Sequence, residues 1–467
     1  MKILLILLVK YWLCPIIRYI KTMSFKNKFT KVIAKIVRAG LRITKHNATS
    51  LPGYVAYKLD ENILDELSKN TKFIFVTGTN GKTMTTHFLV SILKQRYDKV
   101  YTNESGSNMV QGIITTLLDN PANEETIAVL EVDEANLVKI GKNIKADYVV
   151  FTNIFRDQMD RFGEIYNIYA KLIDGMKVMP DAKIIANGDL PIFNYDEMKE
   201  FTSSYFGIRD YSKASDAYNL DAELNSDGIL CPHCHSVLKY RLNNYASLGD
   251  YSCPNCDFHT PDISYSIDEL ISLDANYSRF VIENSEYEVN VGGLYNVYNA
   301  LAAFSAAKEL GLSDQEIYEG LRKQKNVFGR QENVLIDGKN ITINLVKNPT
   351  GLNQIIDLMM LEEEEISLVC LLNDKYADGT DVSWIYDSYY EKLVDLNIKD
   401  IYVSGIRKKD MKRRLEIAEI FEGPTIEFDY ESEIYDIIKH SKTDNIYILS
   451  TYTAMLKLRK VLDLWKK

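Results

Sequence analysis

The sequence lacks an excess of positive charge. Its 467 residues include 55 Lys and Arg against 65 Asp and Glu, which gives a formal net charge of −10 at neutral pH. A general nucleic-acid-binding protein needs basic surface to neutralise phosphates. The composition therefore argues against a nucleic-acid partner, while the length predicts two or three domains with an ample hydrophobic core.

Cysteine is scarce, and most of it is grouped. Six cysteines in the whole chain are too few for a disulfide framework, which favours a reducing cytoplasmic location. Four of them form two C-x-x-C pairs with eighteen residues between the pairs, a spacing typical of a zinc ribbon within residues 222–262. Because four thiolates leave no open coordination position, we expect the Zn²⁺ to be structural rather than catalytic. A thioredoxin-like redox role for either pair is the less favoured alternative, because the two pairs are matched. The predicted ligands are Cys231, Cys234, Cys253 and Cys256, with His233, His235 and His259 as alternatives.

Acidic residues are absent from the first fifty positions, whereas Lys and Arg recur there. Long apolar runs are absent as well, because Ile3 to Val9 spans seven residues and ends at Lys10, which is too short to cross a bilayer. Residues 1–45 therefore form a basic N-terminal extension. It is either an extended start whose true initiator is Met23, or an anchor at a membrane surface.

An amphipathic helix is predicted within this extension. A basic amphipathic helix lies on an anionic membrane surface or packs on the next domain. The sequence leaves both alternatives open, and the first predicts peripheral contact with the inner face of the plasma membrane. The apolar stripe is Phe29, Val32, Ile33, Ile36, Val37 and Leu41, and the basic residues are Lys28, Lys31, Lys35 and Arg38.

The most specific motif is KFIFVTGTNGKTMTT at residues 72–86. Residues 73–76 predict a short buried strand, and the apolar spacing of residues 84–94 predicts a helix. The turn between them presents backbone N–H groups beside a helix N-terminus, which is a binding site for nucleotide phosphates. Valine occupies position 76, where the usual motif has its first glycine. The predicted ATP-binding residues are Gly78, Thr79, Asn80, Gly81, Lys82 and Thr83, of which Lys82 reaches the β- and γ-phosphates and Thr83 serves Mg²⁺.

Strand and helix patterns alternate after this motif. Strand candidates at residues 126–132, 148–153 and 183–187 predict a mostly parallel sheet with helices on both faces, within a domain over residues 46–335. Polar residues at the carboxyl ends of such strands face the ligand crevice, where carboxylates can hold Mg²⁺. Solvated loop residues are the alternative for any one of them. The two groups are Glu131, Asp133 and Glu134, and Asn153, Arg156, Asp157 and Asp160.

Two asparagines and an arginine are further binding candidates. Asn296 and Asn299 fall on the first turn of an alanine-rich helix, where an amide caps the helix or binds a base edge. Arg330 suits fork-like contact with a phosphate. These residues precede a second alternating pattern.

This second pattern begins near residue 336 and predicts a separate C-terminal α/β domain over residues 336–467. Its strand candidates are residues 341–346, 367–372, 400–404 and 445–450. Three aspartates, Asp374, Asp378 and Asp381, follow the second of these strands. They suit acid–base or metal chemistry, and a loop of solvated acids is the alternative.

Several of these motifs together resemble the Mur ligase superfamily of ATP-dependent amide-forming enzymes. The zinc ribbon and the C-terminal motifs resemble the MurT family in particular, which comprises the ligase subunits of lipid II isoglutaminyl synthases, from about residue 40 to the C-terminus. The first set is GTNGKT, TNIFRDQMDRFGE, NGD-L-P, LYNVYNALAA and FGR. The second set is LVKNPTG (345–351), LNDKYADGTDVSW (372–384), SGIRKKDM (404–411) and YTAMLKLR (452–459).

The resemblance implies a fold and a reaction. The fold is a Mur-ligase-type P-loop ATPase domain with an inserted four-cysteine zinc ribbon, followed by a Rossmann-like α/β domain. In the implied reaction, ATP phosphorylates the D-glutamate α-carboxylate of the lipid II stem peptide, and ammonia displaces the phosphate to leave D-isoglutamine. A GatD-like glutaminase would supply the ammonia in a heterodimer.

The resemblance also implies roles for residues. Gly78 to Thr83 would hold the phosphates, with Lys82 as a catalytic residue, and Thr83 and Glu131 would serve Mg²⁺. Asn296 and Asn299 would approach the adenine, and Arg330 would touch the nucleotide. One aspartate would complete the partner's Cys-His pair in trans, orienting the histidine. That residue is Asp374, with Asp378 and Asp381 as alternates.

Two features depart from the amino-acid-adding members of the superfamily. Gln158 stands where many of them have histidine, and the lysine that they carbamylate has no counterpart that we can place, which fits ammonia as the nucleophile. The cysteines outside the ribbon, Cys14 and Cys370, have no glutaminase-like setting, so the ammonia must come from elsewhere, and a partner glutaminase is the simplest source. The alternatives are a stand-alone Mur or folylpolyglutamate-type ligase that adds an amino acid, and a non-catalytic nucleotide-gated binding module.

Overall fold

The computed structural model of the chain describes residues 23–43, 50–103, 107–122, 126–156, 165–223, 226–324, 327 and 329–465. The N-terminal segment 1–22, Asp157, Gln158 and Asp160 lie outside the described residues. The predictions that concern them therefore stay predictions.

Helices and strands alternate through most of the described chain. The helices are α1 (Met23–Ile43), α2 (Leu51–Leu59), α3 (Ile63–Leu67), α4 (Lys82–Leu93), α5 (Val110–Asp119), α6 (Leu137–Gly141), α7 (Ile165–Lys177), α8 (Asp196–Lys199), α9 (Leu294–Glu309), α10 (Asp314–Arg322), α11 (Pro349–Met359), α12 (Lys408–Ala418), α13 (Ile434–His440) and α14 (Tyr452–Trp465). The strands are β1 (Thr71–Thr77), β2 (Val100–Thr102), β3 (Thr126–Glu131), β4 (Tyr148–Phe151), β5 (Lys183–Asn187), β6 (Thr202–Ile208), β7 (Lys239–Tyr245), β8 (Leu248–Ser252), β9 (Tyr265–Ile267), β10 (Glu269–Leu273), β11 (Ser278–Ile282), β12 (Ser285–Val289), β13 (Glu332–Ile336), β14 (Lys339–Leu345), β15 (Ile366–Leu371), β16 (Ile398–Ser404), β17 (Thr425–Glu427) and β18 (Asn445–Ser450).

The central sheet has seven strands in the order β2-β3-β1-β4-β5-β6-β9, and every pairing in it is parallel. This confirms the α/β fold class predicted from the alternating pattern. Strand β1 lies between β3 and β4, with Val76 opposite Glu131 on one side and Val150 on the other. After β1 the chain forms β2 and β3 on one side of this strand and then crosses to β4 on the other side. A ligand crevice is expected at the carboxyl ends of the strands where the order reverses in this way.

The apolar sequence of β1 is explained by its burial in the centre of this sheet. Phe73 to Val76 are at most 2% exposed, as a strand covered by helices on both faces requires. Helix α9 is buried along most of its length, and its alanines allow close approach to α4. The predicted strand ends at Thr77 and α4 begins at Lys82, so the loop between them lies at the crevice.

A second sheet of six strands forms the C-terminal part, in the order β13-β14-β18-β15-β16-β17. The hairpin β13–β14 is antiparallel, and the other pairings are parallel. The predicted Rossmann-like α/β arrangement is therefore present. Strand β13 starts at Glu332, and the division of the chain into domains at residues 45 and 335 stays a prediction.

Two small sheets interrupt the alternation between β6 and α9. The hairpin β7–β8 is antiparallel and carries the two C-x-x-C pairs at its base, and β10, β11 and β12 form a three-stranded antiparallel sheet. The hairpin lies within the predicted insertion at residues 222–262. Its own small core contains Tyr240, Tyr251 and Phe258.

Helix α1 divides its apolar stripe between two environments. Phe29, Ile33, Val37 and Leu41 pack against α2, whereas Val32 and Ile36 are 55% and 65% exposed. Packing on the next domain therefore accounts for one part of the stripe. Within the described ranges, no helix is both long and apolar enough to cross a membrane.

Candidate functional site

The loop between β1 and α4 depends on two glycines. Gly78 and Gly81 have φ angles of +129° and +85°, which side chains with a Cβ rarely adopt. A Cβ at Gly78 would collide with Thr152 Oγ1, and one at Gly81 would collide with Asn299 Oδ1. The loop therefore keeps its shape only with glycine at both positions, and its backbone approaches its neighbours closely.

Lys82 opens α4 and folds back over this loop. Its side chain is 10% exposed, and Nζ donates to the carbonyl oxygens of Gly78 and Thr79, the latter at 3.2 Å. Nζ also lies 3.3 Å from Glu134 Oε1. Burial raises the pKa of the Glu134 carboxyl, and the charge of Lys82 opposes that rise. The ammonium group is thus placed at the mouth of the loop.

Thr83 and Glu131 form an oxygen-rich pair beside the loop. Thr83 Oγ1 donates to Glu131 Oε2 at 2.9 Å, and Asn108 Nδ2 donates to Glu131 Oε1 at 3.1 Å. Hydroxyl and carboxylate oxygens are the ligands that Mg²⁺ prefers, so this pair fits the predicted ion. Asp133, from the same predicted group, instead accepts a hydrogen bond from the backbone N–H of Ala135 at 3.0 Å.

The loop after β4 holds the loop between β1 and α4 in place. The backbone N–H of Asn80 donates to Asn153 Oδ1 at 2.9 Å, and Thr152 Oγ1 donates to the Asn80 carbonyl at 2.7 Å. Arg156 lies farther along and pairs with Asp387 of the C-terminal part at 2.7 Å. Of the second predicted group, Asn153 therefore supports the loop and Arg156 bridges the two parts of the chain.

A cavity of about 480 Å³ lies in front of the loop, and both large parts of the chain line it. The central part contributes the loop with Glu131 and Glu134, and the C-terminal part contributes Lys347 and Asn348. Asn348 and Asn80 exchange amide hydrogen bonds of 3.3 and 3.1 Å. One side of the cavity is therefore bordered by a direct contact between the β1–α4 loop and the residue that precedes α11.

The three predicted nucleotide-contacting residues occupy different places around this cavity. Asn299 and Arg330 line it, and burial lowers the pKa of the Arg330 guanidinium while nearby Glu131 opposes that effect. Asn296 lies behind Asn299, and its Nδ2 donates to Gly292 O at 2.8 Å and to Gln331 Oε1 at 3.0 Å. Asn296 thus supports the start of α9 in this structure.

The three aspartates that follow β15 have distinct surroundings. Asp374 pairs with Arg407 at 3.1 Å, and its side chain is 26% exposed. Asp378 is buried and accepts hydrogen bonds from the backbone N–H and hydroxyl of Thr453, at 2.6 and 2.5 Å, at the start of α14. Asp381 accepts from the backbone N–H of Ser383 at 2.8 Å.

The four ribbon cysteines converge on one point. Their sulfur atoms all lie within 4.8 Å of one another, and the shortest pairs are Cys231–Cys256 at 3.4 Å and Cys234–Cys253 at 3.3 Å. None of the four forms a disulfide bond, and hydrogen bonding to Ser236 lowers the pKa of Cys234 to about 6. Four thiols in this arrangement suit a single metal ion.

Several cavity residues were not predicted from the sequence as binding candidates. They come from positions far apart in the chain, and although Tyr295, Lys347, Asn348 and Tyr452 belong to motifs that the resemblance used, none of them was given a role there. They share no local signal, because Asn344 lies within β14, Tyr295 lies within α9, and the others lie in connecting segments or at the start of α14. They are Asn108, Tyr295, Asn344, Lys347, Asn348 and Tyr452.

Family comparisons cover both large parts of the chain. The family described as Mur ligase middle domain matches residues 76–307, and the family described as MurT ligase C-terminal matches residues 345–455. The lipid II isoglutaminyl synthase (glutamine-hydrolyzing) subunit MurT of Streptococcus pneumoniae is 44% identical over 416 residues, covering 89% of this chain and 92% of that protein. The subunit of the same name from Staphylococcus aureus is 34% identical, covering 86% of this chain and 90% of that protein.

Solved structures with the same fold are more distant in sequence. A pseudomurein peptide ligase type C from Methanothermus fervidus has a TM-score of 0.63 at 21% identity, covering 86% of this chain and 80% of that one. The MurF ligase of Thermotoga maritima, solved in complex with ADP, has a TM-score of 0.59 at 18% identity, covering 88% and 83%. At these identities the likeness concerns the fold alone.

Proposed function

The chain belongs to the MurT family of Mur-type, ATP-dependent ligases, and from that membership we propose that it amidates the D-glutamate α-carboxylate of the lipid II stem peptide. The observation that carries the proposal is the cavity in which the glycine loop, Lys82 and the Thr83–Glu131 pair face Arg330 and Lys347. The glycine loop, the three basic side chains and the Thr83–Glu131 pair together suit a polyphosphate ligand, which must be held and neutralised while its terminal phosphoryl moves.

The proposed reaction has two steps. A carboxylate oxygen of the substrate attacks the γ-phosphorus of ATP, the bond to the β,γ-bridging oxygen breaks, and ADP and an acyl phosphate result. Ammonia then attacks the carbonyl carbon, the C–O bond to phosphate breaks, and the nitrogen loses a proton to leave a primary amide. Because phosphoryl transfer is mostly positioning and charge neutralisation, the chain needs few groups that form covalent bonds.

The residues of the cavity have proposed roles. Gly78, Thr79, Asn80 and Gly81 would form the loop around the phosphate oxygens at the N-terminal end of α4, and Lys82 would follow the γ-phosphoryl as its charge moves. The backbone N–H groups of Thr79 and Asn80 fix the shape of this loop, because they donate to the carbonyl oxygen and to Oδ1 of Asn153. Thr83 and Glu131 would hold Mg²⁺, which neutralises phosphate charge when it is bound. Asn299 and Asn296 would lie on the adenine side, and Arg330 would contact the phosphates.

Zn²⁺ is the metal that we propose for the ribbon, held by four thiolates in a structural role. Replacing Cys253 with serine is expected to reduce bound zinc from about one ion per chain to a small fraction, because three thiolates hold zinc far more weakly than four. The hairpin should then lose order and the thermal midpoint should fall. Metal analysis by mass spectrometry and a melting curve measure both effects.

The matched control for this test is His233→Ala, since His233 lies beside the cluster but pairs with Asp196 at 3.1 Å. It should keep its zinc and its melting temperature. Full zinc occupancy in the Cys253→Ser protein would contradict the assignment, and zinc loss in the His233→Ala protein would add the histidine to the ligand set.

The nitrogen source that we propose is a GatD-like glutaminase bound in a heterodimer, and the relatives' names support this because they describe glutamine-hydrolyzing synthases with a separate MurT subunit. Asp374 is the proposed residue that completes the partner's Cys-His pair. The test is reconstitution with the glutaminase, ATP, lipid II and glutamine labelled with ¹⁵N at the side-chain amide. Label should enter lipid II only when both proteins are present, and its entry without the glutaminase would overturn the division of labour.

We also propose that α1 contacts the inner face of the membrane where the lipid substrate resides. Val32 and Ile36 are exposed on this basic helix, next to exposed Lys35. Replacing both apolar residues with aspartate, or deleting residues 1–45, should reduce flotation with anionic liposomes, because apolar insertion and lipid attraction weaken together. Val394→Asp changes an equally exposed valine on the C-terminal part as a control. Unchanged flotation in both altered proteins would contradict this contact.

A further inference from the structure

The second step of the proposed reaction needs a proton acceptor. When the nitrogen of ammonia bonds to the carbonyl carbon, it gains a positive charge and must lose a proton before the amide forms. Three carboxylates line the described part of the cavity, and no histidine lines it. They are Glu131, Asp133 and Glu134, and their hydrogen bonds show which of them is available as a base.

Glu131 and Asp133 have other partners. The two oxygens of Glu131 accept hydrogen bonds from Thr83 Oγ1 at 2.9 Å and from Asn108 Nδ2 at 3.1 Å, respectively. The carboxylate of Asp133 accepts from the backbone N–H of Ala135 at 3.0 Å. The first carboxylate therefore serves the proposed magnesium ion, and the second holds the turn that follows β3.

Glu134 is buried in the wall of the cavity, beside Lys82. It begins a short 3₁₀ turn after β3, its residue is 6% exposed, and Lys82 Nζ donates to its Oε1 at 3.3 Å. Because Lys82 is held where the γ-phosphoryl would pass, the Glu134 carboxylate lies next to the place where the acyl phosphate would form. Only one oxygen separates the phosphorus of an acyl phosphate from its carbonyl carbon, so that carbon would come within reach of the carboxylate.

The charges around Glu134 suit a base. Burial raises the pKa of its carboxyl and Asp133 adds to the rise, whereas the charges of Lys82 and Lys347 oppose it. A carboxylate whose pKa is raised above its usual range is a better proton acceptor at neutral pH. The two lysines favour the ionised form, which is the form that can accept a proton.

We infer that Glu134 is the catalytic base of the ammonia step and takes one proton from the attacking nitrogen. The inference rests on the proposed function, since the step requires an acyl phosphate. The nitrogen lone pair forms the C–N bond, the carbonyl π electrons move to oxygen, and one N–H proton moves to a Glu134 oxygen. The C–O bond to phosphate then breaks and its electrons leave with the phosphate. The proton passes to that phosphate, which regenerates the carboxylate.

Glu134→Gln tests this role, because it keeps the size of the side chain and an oxygen for Lys82 but accepts no proton. Lys82 should keep its place, since the carbonyl oxygens of Gly78 and Thr79 also hold it. With ammonium as the nitrogen source, amidation should fall by about 10²- to 10⁴-fold, the usual contribution of general base catalysis.

Acyl phosphate formation is measured separately, in rapid-quench experiments without ammonium. The lipid II-dependent burst of ADP in the Glu134→Gln protein should stay within about threefold of that in the original protein, because the phosphoryl step uses no proton acceptor. Hydroxylamine added to the quenched sample should trap the acyl phosphate as a hydroxamate. The variant should therefore accumulate the intermediate that the original protein converts to amide.

Two further variants complete the test. Glu134→Asp keeps the charge opposite Lys82 but sets the carboxylate back by one methylene, so it should fold normally, keep the burst and lose at least about tenfold in amidation. Glu363→Gln makes the same chemical change as Glu134→Gln at an exposed glutamate of the C-terminal part. It should form ADP and amide like the original protein.

The outcomes that oppose the inference differ from the one that opposes the proposed function. Amidation by the Glu134→Gln protein within about tenfold of the original would overturn the role as base. Loss of its ADP burst together with amidation, at a normal melting temperature, would also overturn that role and assign Glu134 to the phosphoryl step. Absence of a lipid II-dependent burst in the original protein would instead overturn the proposed function. If a melting curve shows that Glu134→Gln has not folded, the same two measurements on Glu134→Asp decide.

Discussion

Replacing Lys82 with alanine is expected to lower ATP-dependent amidation by about 10²- to 10³-fold, the usual cost of removing one preorganised group that stabilises transition-state charge. The side chain is 10% exposed and its ammonium lies over the loop, in contact with the carbonyl oxygens of Gly78 and Thr79. It is therefore held where the γ-phosphoryl would pass. Product formation from lipid II, ATP and ammonium measures the loss.

A stability effect must be separated from this catalytic effect. Removing Lys82 leaves the buried carboxylate of Glu134 without its cation, which carries a penalty of its own. The double change Lys82→Met with Glu134→Gln removes both charges and should restore the melting temperature without restoring activity. Lys94→Ala, an exposed lysine just after α4, is the matched control and should stay active.

The result also separates a ligase from a nucleotide-gated binding module. A module would tolerate the loss of turnover as long as nucleotide-dependent binding survived. Amidation within tenfold of the original protein in the Lys82→Ala variant would contradict the role given to this lysine.

Replacing Asp374 with asparagine is expected to lower glutamine-dependent amidation by about 10²- to 10⁴-fold, the range in which catalytic triads lose activity when their acid becomes an amide. Amidation with free ammonium should change little, because Asp374 would act on the partner's histidine and not on ATP. Both rates are measured on the reconstituted complex, with glutamine or with ammonium chloride as the nitrogen source.

The neighbouring aspartates provide the controls. Asp381 accepts a hydrogen bond from the next turn of its own loop, so Asp381→Asn should leave both rates near those of the original protein. Asp378 is buried and caps α14, so Asp378→Asn should lower stability and reduce both rates together. An equal loss of both rates in the Asp374→Asn protein, with normal stability, would place Asp374 in the ligase site instead.

The parts of the site that the sequence predicted are those encoded within short segments. The strand, glycine loop and helix of residues 71–93 form one continuous unit, so the geometry of the anion site follows from local chemistry. The ribbon is similar, since each C-x-x-C pair brings two thiols together within one turn. The valine at position 76 is also explained by local structure, because it is a buried residue of β1 and the loop begins two residues later.

The parts that were not predicted depend on the packing of distant segments. Asn348 reaches Asn80 across 268 positions, and no local pattern marks either amide for that contact. Gln331 accepts the hydrogen bond of Asn296 and has a left-handed backbone conformation with φ of +51°, which is uncommon for glutamine and has no signature in the sequence. The supporting role of Asn296 therefore follows only from the hydrogen bonds of the folded chain.

Long-range contacts also distinguish the three aspartates from one another and divide the apolar stripe of α1. The sequence placed Asp374, Asp378 and Asp381 together after one strand, and only the contact with Thr453, 75 positions away, distinguishes the buried cap from the other two. The apolar stripe of α1 was compatible with two partners. Its packing against α2 uses four of the six residues and leaves Val32 and Ile36 exposed.

The central claim is that ammonia, rather than an amino acid, is the nucleophile joined to lipid II. Its most direct test incubates the purified chain with ATP, Mg²⁺ and lipid II, in the presence of both ¹⁵N-ammonium and a mixture of amino acids, and analyses the product by mass spectrometry. We predict ATP-dependent replacement of one carboxyl hydroxyl by a ¹⁵N-labelled amino group at D-glutamate. A product that carries an added amino acid, with no label at that carboxyl, would contradict it.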